Sequence, residues 1–167
     1  MARYLEGMDE LSRQLGQIVW VWGMLEFSAG RLFAGLTGVE HHQQVNEFLS
    51  ETSNQKRYHL LRSALQKTKV EADSTVQIRR LTNRFRNLNQ TRNKFVHSSY
   101  VLGKPIEEVF IVDLRIGQKI DNQWVIGVAT KLPKNDILNH CKACEKLRWE
   151  MEAMAVTLGV MPFVDGK

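Results

Sequence analysis

The sequence predicts a mainly α fold, a helical bundle with a small β-hairpin inserted before the last helix. Apolar residues recur at helical spacing from Leu11 to Leu32 and again from Ile78 to Phe95. The period then changes: EVFIVDLRI and QWVIGVATKL are rich in β-branched and aromatic residues and flank GQKIDN, as in an antiparallel hairpin. A length of 167 residues with 43% hydrophobic content suits one domain with a sizeable core. The expected boundaries are a single domain over residues 1–167, with a helical core at 9–102 and 134–160 and the insertion at 106–132.

The first helix is expected to start at a cap on Asp9 and to run to about Leu36, with Leu11, Leu15, Ile18, Trp22, Leu25, Ala29 and Leu32 in register. From Ile18 to Leu36 it is apolar on nearly every face, with only Glu26 and Arg31 charged. Two charges near its centre argue against a membrane span. A helix apolar all round is instead buried twice, in its own core and against a partner chain. Gly16, Gly23 and Gly30 fall seven apart on one stripe, which suggests close approach by another helix.

A short helix follows from Glu40 to Leu49, then the polar SETSN stretch, then a helix from about Gln55 to Lys67 with Tyr58, Leu61 and Leu65 inward. The next starts at Asp73 or Ser74, either of which can cap it. Its stripe reads Ile78, Leu81, Phe85, Leu88, Arg92, Phe95, so an arginine takes a seat in an apolar row. Such a guanidinium must be paired or must face a crevice that admits an anion. Gly103 and Pro105 close this helical region, and the last helix runs from Asn135 or Asp136 to about Gly159.

Charge is unevenly spread. Residues 52–104 hold 12 Lys or Arg against only Glu71 and Asp73, whereas the remainder carries 11 basic and 16 acidic side chains. No acid occurs between Ser74 and Ile106, so the arginines there lack local carboxylate partners. Clustered cations of this kind suit a polyanion, because phosphates release counterions on binding them. Arg79, Arg80, Arg84, Arg86 and Lys94 are the candidate RNA contacts; the arginines cover too many helical angles for all to face one strand. The alternative is a solvated helix face.

The run LNQTRNKFVHSSY places His97 five residues after Arg92. On a straight helix the two lie about 140° apart, whereas Asn93 and His97 share a face. A long arginine side chain bridges the difference. The cluster supplies a fixed cation, an imidazole that exchanges protons near neutrality, and an amide able to orient it. Metal-independent RNA cleavage needs a base, an acid and a cation for the phosphorane charge.

The run Arg92-Asn93-Lys94-Phe95-Val96-His97 resembles the Arg, polar residue, spacer, His signature of HEPN domains. WVWGMLEFSAGRLFAGL is similar to the first long helix of abortive-infection-type members, and an insertion before the last helix also fits that group. The resemblance implies a metal-independent endoribonuclease of a toxin-antitoxin or phage-defence system, whose paired motifs form one site at a dimer cleft. It makes Arg92 and His97 catalytic and Asn93 the supporting polar residue, and it implies RNA, a second copy of the chain, and an antitoxin or regulatory protein as partners. Some toxin members place a modifiable Tyr two residues after the His. Here Ser99 holds that place and Tyr100 follows.

No cofactor or metal is expected. His140, Cys141 and Cys144 lack the second ligand pair zinc prefers, and the two cysteines lie on the stripe Ile137, Cys141, Cys144, Met151 as buried thiols. Two cysteines and no N-terminal signal pattern make a cytoplasmic setting the expectation. Glu26 is the one acid from Leu11 to Val39. It is read either as an intrahelical partner of Arg31 or as a buried counter-charge for Arg92. Two rival functions share these features: a non-catalytic module that binds RNA or nucleotide for a partner protein, and an assembly partner in which Arg92 and His97 form an interface link.

Overall fold

The computed structural model describes residues 2–38, 41–103, 108–120 and 123–161. Within helices and strands, it omits the side chains of 2–6, 41, 113–120 and 123–128. Its elements run α1 (Ala2–Thr37), α2 (His41–Ser50), α3 (Asn54–Lys67), α4 (Ala72–Val96), β1 (Ser99–Leu102), β2 (Val109–Ile120), β3 (Gln123–Leu132) and α5 (Asp136–Thr157). The chain is mainly helical, with a three-stranded antiparallel sheet before the last helix.

Several boundaries differ from expectation. The helix expected from Asp9 starts at Ala2, because the good helix formers Ala2, Arg3, Leu5, Glu6 and Met8 carry it across Gly7; Asp9 lies inside it, exposed. Residues 99–102, expected within the helical core, form β1 and pair with β2, making a third strand. β2 extends to Ile120 through part of the expected turn, after a register shift between Asp113 and Gly117. Pro105, Glu40 and the turn residues 121–122 lie outside the described residues.

The packing falls into two compact units. The first comprises Met1–Trp20 and Gln90–Cys141. Its core joins Leu11 and Ile18 of α1, Phe95 of α4, Ile111 of β2, and Ile137 and Cys141 of α5. Across the sheet, Leu102, Val109 and Leu132 stand in one row, each opposite the next. Tyr100 pairs in register with Ile111, which places its ring over the same core.

The second unit comprises Val21–Asn89 and Lys142–Lys167. The predicted stripes are buried here: Trp22, Leu25, Ala29 and Leu32 from α1, Leu61 from α3, Ile78, Leu81 and Phe85 from α4, and Leu147 and Met151 from α5. Trp22 stacks on Phe85 with ring centroids 5.2 Å apart, an aromatic contact adding about 0.5–1.5 kcal/mol to area burial. On α3 the inward residues are Tyr58, Leu61 and Ala64, with Leu65 only half-buried.

Helix ends are closed by specific groups. Gly159 follows α5 with φ +88°. Its N–H donates to Val156 O (2.9 Å) and that of Val160 to Ala155 O (3.0 Å), a Schellman turn that needs the left-handed conformation glycine adopts freely. At the end of α1, the Thr68 hydroxyl donates to the orphan carbonyl of Leu36 at 2.5 Å.

Candidate functional site

The motif residues occupy the last two turns of α4 and the position after it, in the first unit. Phe95 anchors this end: it is buried and meets His140 edge-on, with centroids 5.5 Å apart. Burial lowers the pKa of His140 below its ordinary value of 6.5. The Tyr100 hydroxyl donates to Phe95 O at 2.5 Å, satisfying a carbonyl that the helix end leaves open. Burial of that ring pushes the Tyr100 pKa up to about 12. The His97 N–H donates to Asn93 O (3.1 Å), so the α4 ladder reaches the histidine although the helix ends at Val96.

Arg92 is half-buried. Its Nη1 donates to Asn93 Oδ1 at 3.1 Å, while its Nε is buried without a hydrogen-bond partner among the described residues. The Asn93 amide thus orients the cation rather than the imidazole, contrary to the expectation from the four-residue spacing. His97 is exposed, and among the described residues its side chain makes no hydrogen bond to Arg92 or Asn93. Lys94 is exposed as well.

Glu26 has another partner than either one expected. Its Oε1 accepts from Trp22 Nε1 (2.6 Å) and from Arg57 Nη1 (2.5 Å). Arg57 also donates to Asn54 Oδ1, Leu49 O and Phe48 O. It therefore satisfies two open carbonyls near the end of α2 while its charge meets Glu26. Arg31, the other expected partner, pairs with Glu152 at 2.8 Å, and Ser28 donates to the same carboxylate at 2.7 Å. Both acids hold helices of the second unit together.

The basic residues of α4 separate into kinds. Arg79, Arg80 and Arg86 are exposed and have no ion pair among the described residues. Arg84 forms a salt bridge with Glu150 of α5, so its charge is already met. Arg86 lies over the Tyr58 ring of α3 at 5.3 Å from the centroid, and Arg62 lies over the same ring at 5.7 Å. Tyr58 is 4% exposed, and its hydroxyl donates to Asn83 Oδ1 at 3.3 Å. Tyr58 and Arg62 were absent from the sequence-predicted set. Their four-residue spacing on α3 was the available signal.

Cys141 and Cys144 are buried thiols, as their stripe predicts. Among the described residues no three His, Cys, Asp or Glu side chains converge as a metal-sized group. A cavity of about 370 Å³ opens in the first unit between α1, the sheet and the start of α5, lined in part by Leu11, Gln17, Leu102, Val109, Lys134 and Leu138. None of Arg92, Asn93 or His97 lines it. No described helix is long and apolar enough to cross a membrane. Compared with family models, curated proteins and solved structures, the chain matches none.

Proposed function

We propose that this chain is a metal-independent endoribonuclease of a toxin or phage-defence type, cleaving RNA by attack of a 2′-hydroxyl. The observation that carries the reading is the buried, unsatisfied Nε of Arg92. An orphaned buried donor costs about 1–3 kcal/mol, and an anion placed there removes that cost. A phosphodiester is such an anion. An imidazole at the same helix end can take the 2′-hydroxyl proton. The 2′-oxygen then bonds to phosphorus, the P–O5′ bond breaks, and a protonated group gives its proton to the leaving 5′-oxygen. Arg92 steadies the extra charge on the non-bridging oxygens as the phosphorane forms.

The motif offers one histidine per chain for two proton transfers. A homodimer with a composite site supplies the second, as the HEPN resemblance implies. The test is incubation of purified protein with labelled RNA, with and without EDTA. The expected result is cleavage that survives EDTA and leaves 2′,3′-cyclic phosphate ends, with DNA bound but uncut. His97→Ala should abolish cleavage with little change in RNA affinity. Mixed dimers of that variant with wild type should fall well below half activity. Loss of cleavage on chelation, restored by magnesium, refutes the mechanism.

A second reading has an observation of its own. The His97 side chain makes no hydrogen bond to Arg92 or Asn93 among the described residues, as suits a module that binds RNA or nucleotide without cutting it. RNA binding with no cleavage under any metal condition selects that reading.

A further inference from the structure

We infer that Tyr58, Arg62 and Arg86 form a phosphate clamp for an RNA strand, built in the second compact unit and separate from the Arg92–His97 motif. Two guanidinium carbons, one from α3 and one from α4, lie within 6 Å of one tyrosine centroid. Each contact is attractive by itself, because the ring face is negative. Together they gather two like charges on one residue. Neither arginine has an ion pair among the described residues. By contrast Arg84, two residues before Arg86, is neutralised by Glu150.

The burial pattern favours this role over a solvated face. Tyr58 is fixed, 4% exposed and with its hydroxyl on Asn83, while both arginines are exposed. The ring therefore restrains two long side chains that would otherwise sample many rotamers, so less freedom is lost when they meet a ligand. Phosphodiester oxygens match that fork geometry. Arg79 lies seven residues before Arg86, two turns along α4 and about 10 Å away along its axis, which extends the positive row. A strand backbone, with repeated single charges, fits this row better than a compact anion. The choice of RNA as ligand rests on the ribonuclease reading.

The probe is a fluorescein-labelled single-stranded RNA with 2′-O-methyl groups throughout, which binds but offers no attacking hydroxyl. Its affinity is measured by anisotropy across a salt series, for the full chain and its variants. Arg62→Gln and Arg86→Gln should each lower the slope of log K against log salt by about 0.7, and weaken binding about fivefold near 0.1 M salt. The double variant should lose about 1.4. Tyr58→Leu, with circular dichroism confirming its fold, should weaken binding without changing the slope, because both charges remain. Arg84→Gln should leave the slope unchanged. If RNA binding persists with an unaltered slope in the double variant, or if Arg84→Gln lowers it equally, the clamp is wrong and the ribonuclease reading stands. If the wild-type chain shows no salt-dependent binding to this RNA, both fall together.

Discussion

Replacing Arg92 with methionine should stabilise this protein and destroy its function. The Nε of Arg92 is buried without a partner among the described residues, which costs about 1–3 kcal/mol in the unliganded protein. Against that gain stands the loss of one hydrogen bond from Nη1 to Asn93, about 0.5–1.5 kcal/mol. Methionine has a similar length, no polar group to strand, and enough flexibility to fill the space. The balance is a gain of about 1 kcal/mol, or roughly 2–4 °C in Tm for a chain of this size. Urea denaturation followed by far-UV circular dichroism measures it. A second arm uses inorganic phosphate. An anion held by Arg92 at ten times its Kd adds about 1.4 kcal/mol to the wild type. The Arg92→Met variant retains only the general effect of phosphate on burial. A variant less stable than wild type by more than about 1 kcal/mol, or one with an equal phosphate response, would show that Arg92 is a structural residue and not a waiting ligand site.

Glu26→Gln should cost about 2 kcal/mol in urea denaturation. That is below the 3–5 kcal/mol of a fully buried broken pair, because Arg57 and Glu26 side chains keep 12% and 19% exposure. On the proposed function, a variant that still folds should cleave RNA as fast as the unaltered chain does; unchanged stability with lost activity would move Glu26 back to the Arg92 site. Tyr100 is raised to about 12 from an ordinary 10, so the unfolded chain loses that proton first as pH rises. Its contribution to stability is full below about pH 10 and lost towards 12, and Tyr100→Phe should flatten the alkaline limb of a Tm–pH curve. Gly23→Leu should raise monomer stability by about 0.5–1 kcal/mol through helix propensity, since a Cβ there meets nothing within 4 Å. If the glycine stripe is the dimer contact, sedimentation should show a weaker dimer; an unchanged dimer removes the stripe from the interface.

What could be read in advance was whatever repeats along the chain. The stripe Ile78, Leu81, Phe85 and Phe95 is buried, with Leu88 half-buried, because 3.6-residue periodicity fixes which side chains share a face. Arg92 stood out for the same reason. Partners distant in sequence left no such mark. Glu26 meets Arg57, 31 residues away, and Arg84 meets Glu150, 66 residues away. Neither pair is close enough in sequence for the three- or four-residue spacing that marks a helical ion pair. β1 was missed because four residues directly after a helix carry little strand signal, and its pairing with β2 is a tertiary fact.

The glycine stripe shows where periodicity stops informing. Gly16, Gly23 and Gly30 are equivalent in spacing, yet a Cβ at Gly30 would meet Phe48 at 3.3 Å, whereas one at Gly16 or Gly23 meets nothing within 4 Å. Gly30 is therefore accounted for by α2 within the chain and is withdrawn from any interface with a second copy. The other two remain open on a helix that also exposes Val19 and 62% of Trp20. A helix exposing a tryptophan beside a valine and two glycines is unusual for a surface that stays in water. That exposed stretch, not the full seven-residue repeat, is the part of α1 on which the dimer proposal now depends. Val19→Lys and Trp20→Lys, which add charge without touching the buried face, should therefore disrupt the dimer more than any change at Gly30.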